Sequence, residues 1–264
     1  MFRKVYAVRL ERPAGNGRNK ACFLTCMDLS GQQFDVLAKL EALCESGIGT
    51  LIREALASFL AVDLGLPIPE PVLVEFPTAF RAGSNNQEYD QALQRGSRFA
   101  FGCMKLPAGF RIIAPAAPLE EHLIQSAAEI FVFDTLIANV DRAPVRPNCL
   151  TTGELVSIID HDMAFLMHAI LFWKAPWDFG GGESLSAADR HIFWSQVKQR
   201  NLNFERLKGA LQNISDDRLD EYLAALPDEW MSRGKEIAQE IASYIKRLRE
   251  NADEAFAEVQ RVLK

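Results

Sequence analysis

The sequence predicts an α+β fold in two lobes, with a β-rich lobe over residues 1–103 and a mostly helical lobe over residues 104–264. Two observations support this division. Apolar residues alternate with polar ones in most of the first hundred residues, which is typical of strands, whereas later they recur every three or four residues, which is typical of helices. In addition, 264 residues of which 48% are hydrophobic can bury the core of one large domain or of two lobes. We expect the functional site to lie between the lobes.

The N-terminal strands follow from the alternating pattern. Residues 1–12 alternate between apolar and polar side chains, and a loop that contains Gly17 follows. Residues 21–28 and 34–40 then predict a hairpin, because two apolar runs are separated by a short glycine-containing turn. The second strand ends near Lys39. Taken alone, a lysine at a strand end is expected to be solvated.

The next regular element is a helix over residues 50–64. Its apolar residues have helical spacing, Thr50 is a suitable N-terminal cap, and Gly65 ends it. Glu54 lies in the expected first turn, where an acidic side chain also suits the helix dipole. A proline-rich link then leads into another apolar strand.

The segment that follows completes the β-rich lobe. Residues 81–97 are polar and contain glycine, which indicates a surface insertion or a short helix. Residues 98–106 predict an apolar strand that Gly102 breaks. The Pro- and Ala-rich link over residues 107–118 suits a hinge between two lobes.

The helical lobe begins with a long helix over residues 119–138, whose apolar residues form a stripe. Asp134 lies near this stripe, and we interpret it as a structural acid that ties down the following loop rather than as a base. Further helices are predicted beyond residue 165, the first of them over residues 184–200. Their N-terminal signals are Ser186 with Asp189, Ser215 and Pro227.

Residues 133–165 form a stretch rich in polar residues of functional interest. Asp141 follows the long helix in a turn-rich segment that also holds Asn148, and Asp160 ends a short apolar strand. Asp and Asn are common in loops because they cap helices and form side-chain turns. Phosphoryl transfer, however, needs one Asp to orient the attacking hydroxyl and another, with an Asn, to hold magnesium against the phosphates. The ordered combination therefore points to that chemistry.

This stretch resembles the catalytic core of the HipA-like kinases, a bacterial branch of the protein-kinase-like fold related to the phosphatidylinositol kinases. The matching segments are residues 139–142, 147–150, 159–161 and 164–165, together with the link at residues 64–74. The resemblance covers roughly residues 20–170 in the correct order. It implies a bilobal protein-kinase-like fold, ATP and Mg²⁺ as cofactors, and a Ser or Thr hydroxyl of a protein as the acceptor.

The resemblance also implies roles for residues of the β-rich lobe. Lys39 matches the strand lysine that contacts the nucleotide phosphates, and Glu54 matches the helix glutamate that pairs with this lysine. The glycine-containing loop at Gly17 is assigned to the nucleotide as well. These assignments replace the solvated lysine and the dipole-stabilising glutamate that the isolated residues suggest.

In the helical lobe, the resemblance assigns the reacting groups. Asp141 is the base or hydroxyl-orienting residue, and Arg142 beside it keeps that carboxylate ionised or touches a phosphate. Asp160 is the magnesium ligand. His161 after it matches the family, whereas Asp162 departs from the glycine usual at that place, and the sequence suggests no role for it.

One departure bears on activity. The resembling kinases have a metal-binding Asn five residues after the catalytic Asp, and here that position is Arg146. Arginine has five donors and no acceptor, so it cannot bind magnesium. Asn148 is the nearest amide. Either Asn148 supplies the metal ligand with Arg146 turned to a phosphate, or Asn148 is structural and transfer is inefficient.

Three alternatives therefore stand beside an active protein kinase. The first is a nucleotide-binding pseudokinase or interaction module, and the second is a lipid kinase, which would use the same catalytic residues. The third is an HD-type metal phosphohydrolase built on His161-Asp162 and the other histidines, which are His122, His168 and His191. Such sites place their ligands on helices, whereas here an apolar strand leads directly into the dipeptide.

Composition and charge disfavour other partners. A net charge of -6 and a pI of about 5.4 argue against direct binding of nucleic acid. The N-terminus lacks the apolar core of a signal peptide, and no run of about 18 apolar residues exists, so we expect no membrane partner. The five cysteines are scattered and show no metal-ligand spacing, which indicates reduced thiols in a cytoplasmic protein.

The resemblance raises one further partner. Some members of the resembling family act as toxins that an antitoxin balances, so an antitoxin-like partner is an expectation. This chain is shorter than the original toxin and is expected to lack its N-terminal extra domain.

Overall fold

A computed structural model describes residues 2–15, 19–83, 86–114 and 117–264. The chain divides into two compact units. The first comprises Met1–Leu56, Pro69–Leu106 and Glu221–Gln239, and the second comprises Ala57–Ile68, Pro107–Asp220 and Glu240–Lys264. Within the described ranges, no helix combines the length and apolar character that a membrane crossing requires. The lobe boundary after residue 103 stays a prediction.

Five strands of the first unit close into a barrel in the order β1-β2-β3-β5-β4. They are β1 (Arg3–Pro13), β2 (Cys22–Met27), β3 (Gln33–Lys39), β4 (Pro71–Glu75) and β5 (Phe99–Met104). β1 pairs in parallel with β4, and the other neighbours pair antiparallel. The strands predicted from alternation are confirmed, because their alternate apolar side chains fill the interior of this barrel.

The predicted break at Gly102 is wrong, since β5 runs through this residue. A Cβ atom at Gly102 would lie 2.7 Å from the Cγ1 of Val36 and 2.9 Å from the Cγ2 of Val74. The glycine therefore lets the β5 backbone approach the packed interior rather than interrupting the strand.

The helix predicted over residues 50–64 is α1 (Ile48–Asp63), which begins two residues earlier. Thr50 is 1% exposed and lies inside the first turn, so the predicted cap is wrong. A tight turn before the helix explains the shift, because the backbone N–H of Gly47 donates to Cys44 and that of Thr50 donates to Gly47. Glu54 consequently lies in the second turn, where the dipole has less influence.

The polar segment before β5 contains α2 (Gln87–Arg95), which confirms the short-helix alternative. Tyr89 and Ala92 bury one face of α2, and the carboxylate of Asp90 accepts the backbone N–H of Ala82 at 2.7 Å. The N-terminal part of α7 (Asp228–Glu250), which belongs to the first unit, also packs there, since Trp230 Nε1 donates to Ser97 Oγ at 3.0 Å.

The second unit is built around α3 (Ile124–Leu136), which is buried along most of its length. A three-stranded antiparallel sheet accompanies it, formed by β6 (Arg111–Ile112), β7 (Cys149–Thr151) and β8 (Val156–Ile158). β6 corrects the expectation of an irregular link at residues 107–118. It forms because Ile112 pairs with Leu150, and the N–H of Ile113 donates to Cys149 at 3.0 Å.

The remaining helices are α4 (Trp194–Val197), α5 (Glu205–Gln212), α6 (Asp216–Ala224), α7 (Asp228–Glu250) and α8 (Ala252–Leu263). Two helix starts are confirmed: Ser215 Oγ accepts the N–H of Arg218 at 3.0 Å, and Pro227 directly precedes α7. The predicted helix over residues 184–200 is wrong, because only α4 and a 3₁₀ turn form there. Ser186 does not cap a helix, since its hydroxyl donates to Gly182 O at 2.7 Å.

Candidate active site

Asp134 lies at the centre of a buried hydrogen-bond network on α3. Its Oδ1 accepts from the side-chain amide of Asn139 at 2.8 Å. Its Oδ2 accepts from Arg142 Nε at 2.6 Å and from His191 Nε2 at 3.0 Å, and Arg142 Nη2 donates to Oδ1 at 3.2 Å. All four side chains are buried. The prediction that Asp134 is a structural acid that holds the following loop agrees with these contacts.

The network consists of an ionised carboxylate, a cation and a neutral histidine. Burial opposes the charge of Asp134, but the charge of Arg142 and the hydrogen bond from His191 outweigh it, so the pKa of Asp134 lies far below its ordinary value. Burial lowers the pKa of His191 more than Asp134 raises it. His191 Nδ1 accepts the backbone N–H of Phe193 at 3.2 Å, which leaves the proton on Nε2 for Asp134.

Arg142 joins three parts of the second unit. Besides its bidentate contact with Asp134, its Nη1 donates to the backbone carbonyl of Asn148 and, at 3.2 Å, to that of Ile159. Arg142 is 0% exposed. The expectation that it touches a phosphate therefore does not fit its position, because each guanidinium nitrogen is committed to a protein oxygen. We assign Arg142 a positioning role for the loop over residues 137–148, which we call the Asp141 loop.

Asp141 is half-buried, and its carboxylate faces two donors of its own loop. Arg146 Nη1 donates to Oδ1 at 3.1 Å, and the Asn148 side-chain amide donates to Oδ2 at 3.3 Å. The same amide donates to the Asp141 backbone carbonyl at 2.9 Å. A tight turn, in which the N–H of Arg146 donates to Ala143 O at 2.8 Å, places Arg146 beside Asp141.

Asp160 lies two residues beyond the end of β8, and the backbone before it is hydrogen-bonded to the Asp141 loop. The N–H of Ile159 donates to Asn148 O at 3.0 Å, and Cys149 pairs with Ile158 in the β7–β8 ladder. Asn148 and Asp160 have φ values of 43° and 64°, in the left-handed region that Asn and Asp tolerate better than most residues. The structure therefore brings Asp141, Asn148 and Asp160 to the same end of the β7–β8 hairpin.

His161 and Asp162 are buried behind this end of the hairpin. The ring of His161 packs edge-to-face on Phe133, with centroids 5.9 Å apart. His191 is hydrogen-bonded to Asp134, and His122 lies at the surface, where its Nε2 is 3.1 Å from the Glu154 carbonyl. Across the described ranges of the chain, no group of three or more His, Cys, Asp or Glu side chains is arranged to hold a metal ion. This arrangement lends no support to an HD-type site.

In the first unit, the structure joins Lys39 and Glu54. Lys39 ends β3 and its Nζ forms an ion pair with Glu54 Oε1, and both side chains are buried, at 8% and 1% exposure. The attraction within a buried ion pair must offset the free-energy cost of removing both charges from water. A buried pair is therefore weak evidence that the interaction stabilises the fold. Such a pair at the end of a strand instead presents an oriented ammonium group.

Gly17, the third residue assigned to the nucleotide, lies outside the described residues. Sequence reasoning gave Asn139 no role and considered His191 only for a metal site. His191 lies 57 residues from Asp134 along the chain. No local pattern links the two residues, so only the folded chain reveals their contact.

The side-chain oxygen atoms near the Asp141 loop are of the kind that bind magnesium. This ion is held in phosphate-transfer sites by one or two carboxylates together with phosphate oxygens and retained waters. Asp160 supplies a carboxylate, and the Asn148 side chain offers an amide oxygen while its nitrogen binds Asp141. Arg146, with no acceptor atom, is bound to the Asp141 carboxylate instead. The residues present therefore fit a magnesium ion through Asp160 and Asn148.

Comparison with solved structures identifies kinases. The crystal structure of the Helicobacter pylori proinflammatory kinase CtkA matches with a TM-score of 0.52 at 14% identity, over 96% of this chain and 98% of that chain. The MAP kinase LmaMPK10 from Leishmania major matches with a TM-score of 0.31 at 9% identity, over 94% of this chain and 81% of that chain, a likeness too weak to bear on the fold. No curated protein matches the sequence.

At 14% identity, the likeness to CtkA concerns the fold. The sequence itself is more informative, because the family model described as HipA-like kinase matches residues 25–259. This match extends from β2 to α8 and includes Lys39, Glu54, the Asp141 loop and Asp160. The chain therefore belongs to the HipA-like kinase family.

Proposed function

We propose that this protein is an ATP- and magnesium-dependent phosphotransferase whose acceptor is a Ser or Thr hydroxyl of a protein. The observation that carries the proposal is the convergence of Asp141, Asn148 and Asp160 at one end of the β7–β8 hairpin. Asp134 and Arg142 hold this convergence from inside the unit. Membership of the HipA-like kinase family supports the reaction class.

In the proposed reaction, Asp141 orients the acceptor hydroxyl toward the γ-phosphorus of ATP. The acceptor oxygen forms a bond to this phosphorus, the bond to the β–γ bridging oxygen breaks, and ADP leaves. The hydroxyl proton passes to the Asp141 carboxylate late in the step, because the transition state is loose. A magnesium ion held by Asp160 and Asn148 would neutralise charge on the phosphates when bound.

Other residues act on the same substrates or hold the reacting groups. Lys39, oriented by Glu54, binds phosphate oxygens of ATP, since a buried ammonium group placed by an ion pair presents its charge in one direction. Arg142 binds the backbone carbonyls of both Asn148 and Ile159, so Asp160 and the Asp141 loop keep a fixed position relative to each other. This preorganisation removes the need to rearrange charges during transfer.

A second candidate function has one observation in its favour. Arg146 occupies Asp141 Oδ1, so an acceptor hydroxyl must share or displace this contact. If Arg146 stays in place, the protein would bind nucleotide without efficient transfer and act as a pseudokinase. Because Arg146 is 44% exposed and its ion pair is therefore weak, we favour the active enzyme.

The proposal can be tested with radiolabelled ATP, casein and phosphatidylinositol vesicles. We expect magnesium-dependent transfer to the protein acceptor, which Asp141→Asn reduces by at least about a hundredfold. Asp160→Asn should remove the magnesium dependence of ATP binding in calorimetry. Asp220→Asn, an exposed aspartate on α6, is the matched control. ATP binding that is independent of magnesium and of Asp160, with no transfer to either acceptor, would falsify the proposal.

A further inference from the structure

An open cleft of about 650 Å³ adjoins the Asp141 loop. One wall contains Val140 and Ala143, which lie on either side of Asp141 and its neighbour Arg142. The opposite walls come from residues 169–174 and from residues 180–190. A molecule in this cleft would therefore lie against the loop that carries Asp141, the residue that we assign to the acceptor hydroxyl.

The cleft carries large apolar side chains that the fold does not bury. Leu171 and Phe172, which line it, are 82% and 88% exposed. Phe172 also has a φ of 56°, a conformation that is rare for a bulky residue and costs free energy. Adjacent apolar side chains that stay exposed on a strained backbone indicate a surface that another molecule covers.

Two cations, Lys174 and Arg190, line the cleft. Lys174 donates to Phe179 O and Arg190 donates to Ser184 O, each at 3.1 Å. In the part of the chain that the structure describes, neither cation lies within 4.0 Å of a carboxylate oxygen. Glu183 lies 2.6 Å from Arg261, a cation that also pairs with Glu258 at 2.7 Å, and Asp189 is the second acidic residue of the lining. Two cations and two carboxylates therefore line the cleft, and Lys174 and Arg190 are the groups with which an acidic side chain of a ligand can pair.

The wall formed by residues 180–190 is held in place by α8. Glu258 Oε1 accepts the backbone N–H groups of Gly180 at 2.9 Å and of Gly182 at 3.3 Å. Gly181 packs against the Ala175 carbonyl, where a Cβ atom has no room. A preformed wall lowers the entropic cost of binding an extended ligand.

We propose that this cleft selects the acceptor as an extended polypeptide segment with one large apolar and one acidic side chain near the reacting hydroxyl. The apolar side chain packs on Leu171 and Phe172, and the acidic side chain faces Lys174 and Arg190. This inference rests on the proposed function, in which Asp141 orients the acceptor hydroxyl. A polypeptide is the occupant because its side chains can match both the apolar and the cationic part of one cleft.

The test uses a positional-scanning library of serine-centred peptides with labelled ATP and magnesium. We expect selection of a large aliphatic or aromatic residue at one position and of Asp or Glu at another. Leu171→Ala and Phe172→Ala should each raise the KM of the selected peptide about tenfold or more, since each removes a contact that is buried on binding. Leu155→Ala, 59% exposed on the β7–β8 turn and outside the cleft, is the matched control.

A separate variant tests the preference for an acidic side chain in the peptide. Arg190→Gln keeps a donor for Ser184 O but removes the positive charge. We expect this change to reduce the preference for Asp or Glu several-fold while the apolar preference persists. An unchanged acidic preference, or an apolar preference that Leu171→Ala and Phe172→Ala leave intact, overturns the assignment of the cleft.

Two further measurements separate this inference from the proposed function. Calorimetry reports ATP binding, and fluorescence anisotropy reports binding of fluorescein-labelled peptide pools without any transfer. If ATP binding and transfer fail but the pools bind and Leu171→Ala weakens them, the proposed function is wrong and the docking assignment holds. If ATP binds but the peptides neither bind nor accept phosphate, or only phosphatidylinositol vesicles accept it, the docking assignment is wrong.

Discussion

At the scale of single residues, the buried contacts of Asp134 explain how an ionised group is kept inside the second unit. The carboxylate accepts four hydrogen bonds from three side chains, so both of its oxygens have partners. An unpaired charge at this depth would be strongly destabilising. Because Arg142 extends the same contacts to Asn148 and Ile159, the network links stability to the geometry of the Asp141 loop.

This network predicts a pH dependence of stability. Burial lowers the pKa of His191 below 6.5, so as pH falls through 6.5 the unfolded chain takes up a proton that the native state does not bind. The native state is therefore fully stabilised above that pH and loses stability below it. In His191→Gln, whose amide nitrogen can still donate to Asp134, the loss between pH 7 and pH 5 should be smaller, as measured by urea unfolding. Equal losses in both proteins would show that His191 titrates alike in the folded and unfolded chain.

A second residue-scale prediction concerns the metal ligand. We expect Asn148→Ala to reduce magnesium-dependent transfer by about 10–100-fold, the usual range for residues that support a metal site. Arg146→Asn should change transfer little, because Arg146 has no acceptor for a metal. Steady-state phosphate transfer measures both, with Asn213→Ala at the exposed end of α5 as the control. A rise in transfer for Arg146→Asn with no effect of Asn148→Ala would instead support the pseudokinase.

At the scale of elements, glycines in the two units have opposite roles. Gly102 on β5 faces a filled barrel interior, with Val36, Val74 and Val72 all within 3.0 Å of an added Cβ atom. Gly209 on α5 has no heavy atom within 4 Å of that position. The same residue type therefore permits close packing in a strand and merely weakens a helix.

We expect Gly102→Ala to lower the free energy of unfolding by about 1–3 kcal/mol, because the added methyl overpacks the barrel. Gly209→Ala, the matched control, should raise it by roughly 0.5–1 kcal/mol, since alanine favours the helix and restricts the unfolded chain. Chemical denaturation of both variants measures the difference. A stabilising Gly102→Ala would mean that the barrel interior has unfilled space.

At the scale of the whole molecule, the buried pair of Lys39 and Glu54 bears on stability and on the proposed binding of ATP. Lys39→Met should cost about 3–5 kcal/mol, because it leaves Glu54 buried without a counter-charge. The double variant Lys39→Met with Glu54→Leu should recover much of this loss, since two apolar side chains replace two charges. Thermal and urea unfolding measure both effects. Lys105→Met breaks an exposed ion pair with Asp35 and should change stability by less than about 1 kcal/mol.

The same variants test the nucleotide role independently of stability. ATP with magnesium should stabilise the wild-type protein by about 2.7 kcal/mol at a hundredfold excess over Kd, as any ligand that binds only the native state does. The double variant should fold but show no such stabilisation, because the ammonium group is absent. Retained stabilisation by ATP in the double variant would assign Lys39 a purely structural role.

Local sequence patterns predicted most of the strands and the identity of the polar residues near Asp141. Alternation of apolar and polar residues shows which face of a strand is buried. This signal is enough to predict the strands here, because each of them turns one face to the interior of a closed barrel. The ordered spacing of Lys39, Asp141 and Asp160 likewise led to the correct family. Their functional roles stay predictions, because roles depend on bound substrates.

Contacts between residues far apart in the chain determined the structure where local sequence patterns did not predict it. Residues 184–200 have helical periodicity, yet Glu258 holds the backbone of Gly180 and Gly182 just before them, and Asp134 holds His191 within them. These contacts favour turns over a helix, since a weak local propensity yields to tertiary hydrogen bonds. The same cause explains Arg142, which we expected to keep Asp141 ionised or to touch a phosphate, and which the folded unit buries on Asp134. The sequence by itself determined the strands and the family, whereas the tertiary structure decided which polar groups are enclosed, because burial depends on residues far apart in the chain.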